Sequence, residues 1–141
     1  VSSLKFVDAS VFVYAFLKPR RELTPRETEV KERAKNIVKR INEGERVGMT
    51  VAQLVEVANV LEKYMGEAAH QVEHFLLHAP NVWVYPVDRE VCVEALKVAT
   101  EKRVELTDAI AYVVMLRHGV GEIYSFDVDF DELEGIKRVT S

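Results

Sequence analysis

Strand-like apolar runs that alternate with amphipathic helical stretches predict an α/β fold, a three-layer α/β/α sandwich around a small central parallel sheet. Three observations carry this. The runs LKFV, NVWVYPV and EIYSF are separated from one another by helical segments, which is the order of parallel strands joined by crossovers. Helix starts are marked by capping residues and stops by Gly or Pro. Strands are short and few beside the helices, so the sheet is small. With 141 residues, 48% of them hydrophobic, the chain fits one domain over residues 1–141, built on a single core.

The first strand covers residues 4–7 and passes into a short apolar helix from Ala9 to about Leu17, which Pro19 ends. Thr24, Pro25 and Glu27 form a capping box with Pro at the first helical position and open a long helix to about Asn42, stopped at Gly44. A brief strand from Arg46 to Met49 leads to Thr50 and Gln53, a second capping pair, which starts VAQLVEVANVLEKY. Gly66 separates this helix from EAAHQVEHFLLHA, and Pro80 closes the pair. After the strand NVWVYPV, Asp88 caps REVCVEALKVATEK. The apolar helix TDAIAYVVMLRH follows and ends at Gly119. The strand EIYSF comes next, and IKRVT supplies a final edge strand. Strand order is not readable from propensity.

Composition excludes several classes of function. No apolar run reaches the roughly 18 to 20 residues of a membrane helix, and VSSLKFVDAS lacks the basic flank and long apolar stretch of a signal peptide, so the expected compartment is the cytoplasm and no membrane partner is expected. Cys92, the only cysteine, lies in VCVEAL and reads as a buried structural thiol. Formal net charge is −4, yet residues 18–40 hold nine Lys or Arg against four Glu, a local +5 that leaves −9 elsewhere. That segment either meets phosphates or forms the charged face of a solvated helix.

Four acids carry the chemistry: Asp8, Glu56, Asp108 and Asp127. Asp8 and Asp127 each follow a short apolar strand, at the edge of a parallel sheet where ligands bind. Each acid also has an ordinary reading. Asp8 caps a helix, Asp127 is a turn residue, and Glu56 shares a helical stripe with Gln53, Asn59 and Lys63, as on a solvent face. Asp108 lies in a first helical turn, where the helix dipole stabilises negative charge by about 0.3 to 1 kcal/mol. The combination is harder to explain. TDAIAYVVML is apolar all round, so its acid points near the core, and carboxylates about 5 Å apart repel by roughly 3 kcal/mol at an effective dielectric near 20. No Lys or Arg adjoins Asp8, Asp108 or Asp127 in sequence. Mg²⁺ or Mn²⁺, which prefer oxygen ligands, would compensate.

Taken in order and spacing, FVDASVFVYAF, VAQLVEVANVL, LTDAIAYVVM and YSFDVDF resemble the four motifs of the PIN-domain family across nearly the whole chain, and the small size resembles stand-alone VapC-type toxins. The resemblance implies a PIN-like sandwich and an Mg²⁺- or Mn²⁺-dependent endoribonuclease. It further implies an RNA substrate, a cognate antitoxin and a homodimer, with an RNA-maturation nuclease or a non-catalytic RNA- or protein-binding module as the alternative. Asp8, Glu56, Asp108 and Asp127 match the family's four acids in order and are the expected catalytic and metal-holding residues. Ser10, Ser125, Asp129 and Asp131 are expected around them. Arg20, Arg21, Arg26, Lys31 and Lys35 are the nearest basic supply for phosphates. Tyr14, Phe16 and Tyr124 offer stacking surfaces or belong to the core.

Other motifs fit less well. HQVEH, His70 to His74, has the HxxEH spacing of inverted zinc peptidases, but its histidines lie opposite the Val72, Phe75, Leu76 and Ala79 stripe and no third ligand is evident. DVDFDELEG starts like a calcium loop, yet has Glu132 at the sixth position and Arg138 at the twelfth. A DxDxT phosphatase would carry its nucleophile after the first strand, where this chain has only Asp8.

Overall fold

A computed structural model of the chain describes residues 4–141. Strands β1 (Lys5–Val7), β2 (Val47–Thr50), β3 (Val82–Tyr85), β4 (Glu122–Tyr124) and β5 (Lys137–Val139) alternate with helices α1 (Ala9–Phe16), α2 (Pro25–Asn42), α3 (Val51–Met65), α4 (Ala69–His78), α5 (Arg89–Lys102) and α6 (Leu106–Arg117). Short 3₁₀ turns cover Gly66–Ala68 and Val128–Glu132, the second capped by Asp127.

Local chemistry sets the boundaries. Both expected capping boxes form: Thr24 accepts from the Glu27 amide at 3.1 Å while Glu27 accepts from the Thr24 amide at 2.9 Å, and Thr50 and Gln53 do the same at 3.1 and 2.8 Å. Asp88 accepts from the Val91 amide to start α5. The end of α1 has no basic residue of its own. Lys31 of α2 supplies the charge, donating to the carbonyls of Tyr14, Ala15 and Leu17 at 3.1, 3.3 and 2.9 Å.

All strand pairs are parallel, in the order β3-β2-β1-β4-β5. The chain therefore runs outward from β1 in one direction and later resumes on its other side at β4. Loops leaving β1 and β4 diverge there, which opens a crevice at their carboxyl ends. Alternation along β1 divides the core between the two faces of the sheet. Val7 packs with residues of α1 to α4, and Phe6 packs with α5, α6 and Phe130. The apolar α6 fits its buried place, with Ala109, Ile110, Ala111, Val113, Val114 and Met115 all in the core. Gly48 in β2 is needed for clearance. A Cβ there would come within 2.8 Å of the Phe6 ring and 3.1 Å of the Tyr85 ring, which stack at 5.5 Å. Cys92 is half-buried rather than buried, since its α5 position faces the packed side only in part. Among the described residues no helix is long and apolar enough to cross a membrane.

Candidate acidic active site

The crevice between β1 and β4 is where the acids meet. Asp8 follows β1 directly, its amide donates to the Tyr124 carbonyl at 2.9 Å, and only 4% of its surface is exposed. It caps α1 through the Ser10 amide at 3.3 Å, so the capping reading and the site reading describe one side chain. Ser125, fully buried after β4, donates from Oγ to Asp8 Oδ2 at 3.1 Å and accepts the Asp127 amide at 3.0 Å. Because that hydroxyl proton is used on Asp8, the 3.4 Å contact between the two serine Oγ atoms runs from Ser10 to Ser125. Ser10 Oγ in turn accepts the Phe126 amide at 3.0 Å. Two hydroxyls thus tie the loop after β4 to the one after β1.

Asp127 caps the 3₁₀ turn through the Asp129 amide at 2.9 Å. Asp108 sits in the first turn of α6, 3% exposed, and one carboxylate oxygen each from Asp108, Asp127 and Asp129 lie within 4.8 Å of one another. Glu56 reaches in from α3 and lines a cavity of about 390 Å³ together with Asp8, Ser10, Tyr14, Phe126 and Asp127. The stripe expected on solvent is exposed at Asn59 and Lys63, half-buried at Glu56 and fully buried at Gln53, so Glu56 lies where it turns into the protein. Asp131 lies apart: both of its oxygens pair with Arg138, at 3.0 and 3.1 Å, and it is exposed.

Electrostatically the site is unbalanced. Among the described residues none of Asp8, Glu56, Asp108, Asp127 and Asp129 forms an ion pair. Burial pushes Asp108 up to about 8, helped by the charges of Asp8, Asp127, Glu56 and Glu105. Glu56 is pushed up to about 7, first by burial and then by Asp8, Glu105 and Asp127. Burial also raises Asp8, against the lowering effect of its bonds from Ser10 and Ser125, and it raises Asp129, with Asp127 adding to it. Asp108 Oδ2 and Glu56 Oε1 are two of four buried side-chain polar atoms without a partner among the described residues. Orphaned carboxylate oxygens facing other carboxylates fit a hard divalent cation that takes oxygen ligands.

The basic residues divide differently from the sequence reading. Lys31, expected at phosphates, is 6% exposed with its ammonium committed to the end of α1, and burial lowers its pKa. Lys35 lines a separate, largely apolar cavity of about 650 Å³ between α1, α2 and α4. Arg21 makes a two-pronged contact with Glu27 at 2.8 and 2.7 Å, and Arg20 is exposed. Only Arg26 borders a groove that reaches the acids, where Arg33 and Arg138 join it. Arg33 was legible as the residue two helical turns after Arg26 on one face. Arg138 had no local signal. Tyr14 is 46% exposed and Phe16 38%, whereas Tyr124 belongs to the core at 4%.

The HQVEH histidines are exposed. His70 pairs with Glu73 at 2.8 Å and lies 3.8 Å from Glu62, whereas His74 packs on His78 at 4.3 Å and is not part of that group, so the two histidines of the motif do not share one site.

A family model described as the PIN domain matches residues 5–136. Similar solved structures include the VapC20 toxin of Mycobacterium tuberculosis, described as cleaving the sarcin–ricin loop, with a TM-score of 0.71 and 20% identity over 93% of this chain and 95% of that one. A toxin–antitoxin complex from Klebsiella pneumoniae aligns with a TM-score of 0.62 and 15% identity over 94% and 95%. VapBC2 from Rickettsia felis, bound to a DNA fragment from its promoter, aligns with a TM-score of 0.63 and 8% identity over 96% and 97%. At these identities the likeness is one of fold. No curated protein sequence gives a significant match.

Proposed function

This chain belongs to the PIN-domain family, and from that premise we propose that it is an Mg²⁺- or Mn²⁺-dependent endoribonuclease that acts as the toxin of a toxin–antitoxin pair. The observation that carries the reading is the pair of buried oxygens on Asp108 and Glu56 that have no hydrogen-bond partner among the described residues, inside a group of acids that form no ion pair among them. Asp8, Asp108 and Asp127 would hold the ion directly or through water, with Glu56 from α3. Asp129, whose carboxylate falls in the same group as Asp108 and Asp127, would join them. When bound, such an ion supplies a water of lowered pKa and neutralises charge on the phosphoryl oxygens. The chain's own part is positional. Ser10 and Ser125 fix Asp8 and the Asp127 amide, the rigid ends of β1 and β4 set their spacing, and the α3 and α6 carboxylates close the rim.

The partners follow from the same reading. Of the similar structures described above one is a toxin and another a toxin–antitoxin complex, which favours a cognate antitoxin here. The apolar cavity bordered by Phe12, Phe16, Val38 and Phe75, with Lys35 and Lys39 on it, suits the apolar face of an amphipathic helix flanked by acids. Val93 and Leu96 of α5 and Leu116 of α6 are each more than half exposed, an apolar surface that a second copy would cover.

The test is cleavage of labelled RNA with Mg²⁺, with Mn²⁺ and with chelator, by wild-type protein and by Asp8→Asn protein whose circular dichroism is unchanged. Cleavage should need the ion and vanish in the variant. Equal cleavage in chelator, or by Asp8→Asn protein, would remove the assignment.

A further inference from the structure

Beside the acid cavity lies a groove of about 720 Å³ that shares Tyr14, Phe126 and Val128 with it, so the two adjoin across a common rim. Three arginines border it: Arg26 and Arg33 from α2 and Arg138 from β5. We propose that this groove seats the backbone of single-stranded RNA next to the bond being cut, with Arg26, Arg33 and Arg138 on phosphates and Tyr14 under an unpaired base. This rests on the nuclease reading and names where its substrate lies.

An acidic chain that acts on a polyanion needs its positive charge at the site, and this is where the fold delivers it. Two of the arginines are held in place. Arg33 contacts Thr140 at 3.1 Å and Glu29 at 2.8 Å, while Arg138 contacts Asp131 and, at 3.4 Å, the Ser125 carbonyl. A guanidinium has five donors, so these contacts use two on Arg33 and three on Arg138 and leave the rest for phosphate oxygens. Fixing the fork beforehand reduces the entropy lost on binding. The Ser125 contact is informative, because the Ser125 side chain holds Asp8: one residue links the groove wall to the acid that begins the site. Arg26 is exposed and makes no polar contact among the described residues, so all its donors are available.

The aromatic wall argues for a single strand. The Tyr14 ring meets that of Phe126 at 5.8 Å and 77°, which steadies it on the shared rim while 46% of the residue stays exposed. A ring presented this way stacks with a base only when that base has left its duplex neighbours.

The experiment is fluorescence anisotropy with a labelled single-stranded RNA octamer, in chelator so that binding is read without cleavage. Wild-type protein is compared with Arg26→Gln/Arg33→Gln and with Arg20→Gln/Arg21→Gln, which removes the same charge outside the groove. The groove variant should bind about tenfold or more weakly at low salt, with a plot of log affinity against log salt that is shallower by about 1.4, or about 0.7 per lost phosphate contact. The outside variant should stay within about twofold, Arg33→Lys should retain most of the binding, and the same RNA as a duplex should bind more weakly than the single strand. Equal losses in both double variants, no loss in either, no binding by wild-type protein, or preference for the duplex would each overturn the proposal. RNA binding that depends on the groove, without ion-dependent cleavage, would refute the nuclease reading and leave the groove standing. Cleavage that needs Asp8 but ignores Arg26 and Arg33 would do the reverse.

Discussion

Ser125 Oγ donates to Asp8 Oδ2 at 3.1 Å, joining the first acid of the chain to the loop that carries the last, 117 residues away. The same oxygen accepts the Asp127 amide at 3.0 Å, so one hydroxyl sets two acids at once. Replacing Ser125 by Ala strips a donor from a buried carboxylate and an acceptor from an amide. The expected cost is about 1 to 3 kcal/mol in stability, read from the urea midpoint. Ion-dependent cleavage should fall roughly 10- to 100-fold, as when an outer-shell partner of a ligand is lost. Full activity in Ser125→Ala protein would mean that Asp8 is placed by its backbone alone.

Burial and crowding give the site a pH signature. Carboxyls of these types ordinarily ionise near 4, whereas Glu56 is pushed up to about 7 and Asp108 to about 8, each first by burial and then by neighbouring acids. Between roughly pH 5 and 8 the folded chain therefore holds protons that the unfolded chain has released, so its stability is greatest below that window and falls as the pH rises through it. In chelator the protein should melt at a higher temperature near pH 5 than near pH 9, and Mg²⁺ or Mn²⁺ should recover more at the alkaline end. Asp108→Asn protein should melt a few degrees above wild type at pH 9 in chelator and respond less to the ion. A melting temperature that climbs between pH 5 and 9 in chelator would contradict the assigned burial.

Lys31 is a structural cation. Its ammonium donates three bonds to the carbonyls that end α1, so Lys31→Met should destabilise the fold by about 2 to 3 kcal/mol in urea. The salt dependence of RNA binding should not change. A slope reduced by about 0.7 would show instead that the side chain reaches phosphate.

Most of the elements were legible because local chemistry decides them. Thr24 with Glu27, Thr50 with Gln53 and Asp88 each start a helix through contacts within four residues, and the tail IKRVT supplies the edge strand β5. The convergence of Asp8, Glu56, Asp108 and Asp127 was legible only indirectly, from carboxylates placed at strand ends and on an all-apolar helix. What local pattern does not encode is which side chains meet across the fold. Lys31 reads like any charge on a solvated helix until α1 is seen to end beneath it. Arg138 reads like a strand-edge charge until β5 lies beside β4 and brings it to Ser125. Gln53 is a capping residue on either reading, and its complete burial, which changes how Glu56 is understood, comes from packing alone.

The order β3-β2-β1-β4-β5 has a consequence for synthesis. β1 leaves the ribosome before β4, its neighbour in the crevice, which emerges about 120 residues later. Until then Asp8 lacks Ser125, and Asp127 does not yet exist. Throughout that interval the acids have no second strand to complete their group, and they come together in one step, when β4 docks beside β1.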